Sequence, residues 1–544
     1  MMDSRIDTSL KVHQRNQKNL RNPGSGLALI LTLALAAVLL FPTIFWPFDY
    51  DQGTFAYGGT AVLSGQRPYL DFWDIKPPNI FYTYATAFAL FGKSVRAVRV
   101  FDYLNALFTI ALLFVLAARL WKNTPWRNIS AVMASLAFVL QYYILGHWDT
   151  AQVETYSIPF LLIAFLLAVP GRARDDLRHL SLRALFAGIA IAISFYYKFP
   201  NGLFLLLIAA VFWLHSGKDR AVHLRTISML IAGFLVGVGL ESLYLALNGE
   251  LVPLWQITFS STANYVSTNY SGSFSMFDNL RASFHVLDLL WIVAGIIGWS
   301  FWASDRHPRA KHTHSVFISA MLMVLGCVLA FLIVQAQNKG YKYHYAILLP
   351  WADLLIGAGI GHIARALAQF DTLPRGNNAS IVVVVLFALS YVWTSADPLQ
   401  ARVHELLQIA NGNESANGYI ASDSLANYVI QHTEPTDRIF IFGFEPYVYW
   451  KTGRRPANKY LNTIHFKPSY VPAQERDELI HTLVSNPPEL FLVEMGDRYT
   501  SQGNSNEDSR TTIAKHYPEI EKLLAERYTV KDTLQHTIAY VLRH

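Results

Sequence analysis

Carboxylates and lysines stand in this sequence where an apolar chain has little ordinary use for them. Asp49 and Asp51 follow directly on the apolar run 27–47, and Asp71, Asp74 and Lys76 precede Pro77-Pro78. The pattern recurs at other ends of apolar runs: "GHWDTAQVETYSIPF" holds Asp149 and Glu154, "YYKFPNG" holds Lys198, and "QNKGYKYHYAILLP" holds Lys339, Lys342, His344 and Tyr345. Two tasks suit these residue types. A lysine can hold a phosphate as a point charge and neutralise it as a leaving group. A carboxylate in a partly dehydrated site can take a proton from an attacking hydroxyl. Together they outline transfer of a group from a lipid phosphate to an acceptor, with Asp49 and Asp51 both candidates for the base. Asp74 and Tyr345 are candidates for secondary contacts. Plainer readings stand beside these. Asp51 suits a helix N-cap, Lys76 can snorkel to headgroups, Glu154 suits a first helical turn, and Lys198 and His344 can be interfacial anchors.

The elements that must position these residues are membrane spans. The chain has 544 residues, 53% hydrophobic and 15% charged, against roughly 25% charged in soluble proteins. Hydropathy predicts a polytopic α-helical membrane protein with about eleven spans: 27–47, 97–118, 129–146, 154–170, 183–198, 200–215, 227–247, 285–303, 314–335, 344–361 and 380–396. The loops assigned to the cytoplasm, with tail 1–26, hold 20 Lys and Arg; the outer loops hold 8. That bias places the N-terminus in the cytoplasm and every candidate site residue on the outer side of the membrane. The net charge of +6 then belongs to the cytoplasmic loops and does not call for nucleic acid. The only cysteine, Cys327, can form no disulfide within the chain.

Between the first two spans, "DYDQGTFAYGGTAVLSG" has helical spacing. It reads as an interfacial helix laying Phe55, Val62 and Leu63 on the membrane. Residues 397–544 read as an extracytoplasmic α/β domain. Strands are predicted at 437–444, 487–496 and in "HTIAYVLRH", with helices at 474–486 and in "TTIAKHYPEIEKLLAERY". Tyr447, Tyr449 and Trp450 are candidates to stack on sugar rings, and loop 248–284 is a candidate lid.

The stretch "DYDQGTFAYGGTAVLSGQRPYLDFWDIKPP" resembles the first outer loop of GT-C glycosyltransferases. The similarity is to the bacterial branch related to protein O-mannosyltransferases and the lipid A aminoarabinose transferase. "AQVETYSIPFLLIAFLLA", "YYKFPNGLFLLL" and "NKGYKYHYAILLPWADLLIG" resemble later motifs of that branch in the same order, and the tail resembles its outer domain. Where many relatives have Asp-Glu, this chain has Asp51-Gln52. The resemblance implies an inverting transfer of a sugar from a polyprenyl-phosphate donor to a hydroxyl-bearing glycan, lipid or protein of the cell envelope. It implies Asp51 as base, Glu154 orienting the acceptor or assisting the base, and Lys76, Lys198, Lys342 and His344 holding the phosphate. No cofactor is required when lysines neutralise the leaving group; a divalent cation between Asp51 and Glu154 is the other arrangement. The rival is a flippase or transporter, which would place its charges near the bilayer midplane.

Overall fold

A computed structural model describes residues 23–122, 124, 126–169, 177–215, 219–267, 310–339, 341–368, 418–466, 471–498 and 507–544, and isolated positions between 385 and 408. Six of its helices are long and apolar enough to cross a membrane: Gly24–Phe45, Val95–Leu120, Arg127–Asp149, Arg178–Phe195, Arg220–Leu247 and Lys342–Ala364. Val153–Ala168, Phe199–Leu214 and Ala320–Ala336 are shorter and equally apolar. These nine match nine of the predicted spans. The other two, 285–303 and nearly all of 380–396, lie outside the described residues, as do tail 1–22 and residues 268–284 of loop 248–284. The chain is a multi-pass helical membrane protein.

Burial separates the central helix from the peripheral ones. The apolar window of Lys342–Ala364 is 89% buried, that of Arg220–Leu247 only 17%. Trp351 in the central helix is fully buried and stacks on Phe204, with ring centroids 5.5 Å apart. Leu224, Leu235 and Leu240 of the peripheral helix face outward, as lipid-facing leucines would. Helices approach closely where small residues permit it. A Cβ on Gly233 would collide with the carbonyl of Leu185.

The C-terminal part is built on a five-stranded sheet in the order β2-β1-β3-β5-β4. Strands β1 (Arg438–Phe442), β2 (Arg455–Pro456) and β3 (Leu490–Glu494) are parallel, while β4 (Tyr528–Leu534) and β5 (Thr537–Leu542) form an antiparallel hairpin on β3. The predicted strands are β1, β3 and β5. The sequence reading missed β4, whose "YTVKDTL" is a polar edge strand directly after a helix. The single helix predicted before it is two, Ser509–His516 and Pro518–Arg527, divided at Tyr517-Pro518. Proline supplies no N–H and turns the preceding residue out of helical geometry.

The first loop forms two helices, Tyr50–Leu63 and Asn79–Phe91. The interfacial expectation for the first is corrected. Phe55 is fully buried against Phe81 and Tyr84, Val62 is partly buried, and Leu63 alone of the three is exposed. The helix lies between Asn79–Phe91 and the C-terminal helix Pro446–Thr452. Gly53 sits where a Cβ would lie 2.8 Å from the backbone nitrogen of Tyr447, so glycine is what lets the helices touch. Tyr447, Tyr449 and Trp450 are core residues, not a sugar platform; Trp450 donates its indole N–H to Thr60 Oγ1 at 3.1 Å. The Trp73 amide donates to Lys459 O at 2.9 Å. One apolar core therefore runs from Phe55 and Trp73 through Trp450 to the sheet residues Phe440 and Phe491.

Candidate active site

Chain direction brings the candidate residues to one end of the helix bundle. Asp51 follows the first span, Asp149 ends Arg127–Asp149, and Glu154 begins Val153–Ala168. Lys198 follows Leu177–Phe195, and Lys342 begins the central helix. The C-terminal sheet region covers the same end. Between them lies a cavity of about 450 Å³, with Asp49, Asp51, Asp74, Lys76, Asp149 and Lys342 in its wall. Aromatic rings of Tyr50, Trp148, Tyr265, Tyr341, Tyr343 and Phe444 fill much of the remainder.

Asp49, not Asp51, caps the first-loop helix. Its Oδ1 accepts from the Tyr50 amide at 2.6 Å, and Gln52 Oε1 accepts the Asp49 amide at 2.7 Å, completing a capping box. Burial, with Asp51, Asp149 and Glu445 nearby, holds the Asp49 carboxyl well above its usual range. Capping is thus done one turn-start earlier, and Asp51 is left in the first helical turn facing the cavity. Its Oδ2 lies 3.7 Å from Lys76 Nζ.

Lys76 is held from several directions. Its backbone N–H donates to Asp74 Oδ1 at 2.9 Å, and its carbonyl accepts from Tyr69 Oη at 2.8 Å. Its ammonium lies 5.6 Å from the Phe55 ring centre and 5.8 Å from that of Tyr343. Burial lowers the basicity of this lysine, but Asp51, Asp74 and Glu154 outweigh it and its pKa is raised. Asp74 itself is pushed up to about 6 by burial, partly offset by Lys76.

Glu154 and Lys198 form a second, deeper pair. Glu154 is fully buried; its Oε1 accepts from Lys198 Nζ, while its Oε2 has no hydrogen-bond partner among the described residues. Burial lowers the Lys198 pKa, with Lys76 adding to the effect and Glu154 opposing it. Lys342 lines the cavity with its ammonium 3.7 Å from Asp149 Oδ2. It also donates to the carbonyls of Ile144 and Leu145, at 2.9 and 3.3 Å, where Gly146 interrupts the helix with φ 81°. His344 and Tyr345 are placed differently. His344 is buried edge-on to Tyr341 and Tyr343, and Tyr345 Oη accepts from Gln335 Nε2 at 3.2 Å. Neither is in the cavity wall.

Comparisons with known families and folds concern the chain as a whole. The family model described as dolichyl-phosphate-mannose-protein mannosyltransferase matches residues 75–245. The crystal structure of ArnT from Cupriavidus metallidurans bound to undecaprenyl phosphate matches at TM-score 0.61 and 14% identity, over 94% of this chain and 97% of that one. At this identity the likeness shows a shared fold: the chain is folded as this ArnT is. The same ArnT in its apo state matches this chain at TM-score 0.56 and 13% identity, covering 95% and 98%. Archaeal oligosaccharyltransferase AglB from Archaeoglobus fulgidus, in complex with an inhibitory peptide and a dolichol-phosphate, matches at 0.50 and 11%, covering 95% and 74%. No curated protein sequence matches the chain.

Sequence reasoning missed the residue that frames this cavity. Arg99 is 1% exposed, and its guanidinium donates to Pro47 O, to Gln52 Oε1 at 2.9 Å, to His147 O at 3.1 Å and to Thr150 Oγ1 at 3.1 Å. It ties the start of the first-loop helix to the Asp149 turn. An arginine set into the apolar helix Val95–Leu120 was the available signal. Gln52, the departure from the family pattern, is fully buried and donates to His147 O at 2.6 Å and Thr150 O at 2.7 Å. The glutamine amide serves both needs: its oxygen meets Arg99 and its nitrogen meets two carbonyls. Among the described residues no group of three or more His, Cys, Asp or Glu is arranged to hold a metal ion.

Proposed function

We propose that this chain is an inverting glycosyltransferase that moves a sugar from a polyprenyl-phosphate donor to a hydroxyl of an extracytoplasmic envelope acceptor. The observation that carries the reading is the Asp51 carboxylate 3.7 Å from the Lys76 ammonium, in a cavity at one end of the spans. Asp51 takes the proton of the acceptor hydroxyl, the acceptor oxygen attacks the anomeric carbon, and the carbon–oxygen bond to phosphate breaks. The electron pair leaves on polyprenyl phosphate, beside Lys76. Lys342 stands in the same wall, and Glu154 orients Lys198 behind it. In this reading lysines supply the positive charge that the leaving phosphate requires. Undecaprenyl phosphate in ArnT and dolichol-phosphate in AglB support a lipid-linked donor. The basic bias of the opposite loops supports an outer-side site.

The test reconstitutes the full chain in liposomes with a panel of undecaprenyl-phosphate sugars and a lipid extract of the host envelope. Released undecaprenyl phosphate is measured for wild type and Asp51→Asn. Release should fall at least about 100-fold in the variant, the lower end for loss of a general base, with undecaprenyl phosphate binding retained. Movement of labelled lipid between leaflets without release would instead establish a flippase.

A further inference from the structure

The cavity wall opposite the membrane helices comes from the C-terminal region, through Phe444, Asn462, Ile464 and His465. Asn462 is unusual among them. It is 5% exposed, and its carboxamide Oδ1 has no hydrogen-bond partner among the described residues. A buried amide oxygen without a donor is destabilising, so an oxygen left in that state in a cavity wall points to a ligand that donates to it. Its backbone is firmly set. The next residue, Thr463, donates its amide to Gly443 O at 2.9 Å, and Phe466 donates to Thr463 O at 2.9 Å. The following 3₁₀ turn, Ile464–Phe466, presents His465 between Trp73, 5.1 Å away, and Tyr265, 5.8 Å away.

We propose that Asn462 and His465 form an uncharged subsite that reads the hydroxyls of a carbohydrate acceptor. The proposal rests on the transferase reading above, because Asp51 can only deprotonate an acceptor lying between itself and the aqueous side. That side is where the C-terminal region closes the cavity. The chemistry of the pair decides the ligand class. A carboxamide both donates and accepts, as a sugar hydroxyl does. Burial, with Lys76 and Lys339 close by, pushes the His465 pKa down to about 3, so its ring is neutral and has one donor and one acceptor nitrogen. Neither group attracts a phosphate or an ammonium by charge. The rings of Tyr265, Tyr341 and Tyr343 add flat apolar faces in the same wall. A single serine or threonine hydroxyl of a protein acceptor would satisfy Asp51 but leave this subsite unfilled.

The experiment uses the full chain in nanodiscs and saturation-transfer NMR. The probes are the oligosaccharide pool released from the host envelope by mild acid and, separately, a serine/threonine-rich peptide. Undecaprenyl phosphate binding is measured in parallel. Wild type should transfer saturation to sugar ring protons. Asn462→Leu, which fills the same space without polar atoms, should reduce that transfer at least five-fold, as should His465→Phe. Both variants should bind undecaprenyl phosphate as wild type does and melt at similar temperatures. Unchanged transfer in a folded Asn462→Leu variant overturns the subsite. So does wild type that ignores the oligosaccharides, whether or not it binds the peptide. Loss of undecaprenyl phosphate binding in wild type would instead strike the transferase reading itself.

Discussion

Replacing Lys198 by methionine would leave the Glu154 carboxylate buried without its counter-ion. Glu154 is 0% exposed, the Lys198 side chain is 14% exposed, and the second Glu154 oxygen already has no hydrogen-bond partner among the described residues. An exposed ion pair contributes about 0–1 kcal/mol. Breaking a buried one by removing a single partner costs about 3–5 kcal/mol, and the exposures place this pair in the second class. With total stabilities of about 5–15 kcal/mol, Lys198→Met should lose a large share of the folding free energy. The double variant Lys198→Met/Glu154→Gln removes both charges and should recover all but about 1–2 kcal/mol of the loss. The assay is SDS-titrated unfolding of the purified chain in mixed micelles, as a double-mutant cycle. The double variant should fold yet release little undecaprenyl phosphate, since its lysine is gone. A loss below about 1 kcal/mol for Lys198→Met, within the range of solvated pairs, would refute the buried-pair argument. A double variant no more stable than the single would refute it equally.

Three further outcomes follow from the same geometry. Gly53→Ala should cost about 1–3 kcal/mol through overpacking, because its Cβ meets the Tyr447 backbone at 2.8 Å. Gly239→Ala, with nothing within 4 Å, should be neutral or mildly stabilising in the same unfolding assay. Gln52→Glu should cost about 1–3 kcal/mol despite Arg99, because it sets an oxygen against the His147 and Thr150 carbonyls at 2.6 and 2.7 Å; a wild-type unfolding curve would contradict this. Asp74, raised to about 6 from an ordinary 3.8, binds more proton folded than unfolded between those values. Its contribution therefore lowers stability as pH rises through that window. Asp74→Asn should remove that loss, gaining about 2 kcal/mol on wild type between pH 4 and pH 6, as read from unfolding curves at each pH.

The spans were legible because a membrane helix must be apolar along about 20 residues and must satisfy its own backbone. Nine predicted spans accordingly match nine helices. Chain direction then follows from counting, and it places Asp51, Glu154, Lys198 and Lys342 at one end of the spans. β1, β3 and β5 were legible by their apolar runs, whereas β4 was hidden by its polar edge and Tyr517-Pro518 by a helical pattern on both sides.

Side-chain pairing is what the tertiary structure alone decided. Asp49 and Asp51 are two residues apart and chemically equivalent, and only the helix start shows that Asp49 caps while Asp51 faces Lys76. Lys198 and Glu154 are 44 residues apart, and nothing local in either stretch names the other. His344 and Tyr345 share a motif with Lys342, yet the 3₁₀ turn Lys342–Leu348 buries both away from the cavity wall. Arg99 and Asn462 are not marked by their local sequence, because the partners of Arg99 and the cavity around Asn462 come from distant parts of the chain. Hydropathy and charge are summed along a sequence and survive without coordinates. A site depends on which polar atoms meet within about 4 Å once apolar burial has brought their elements together, and that is a property of the packed fold.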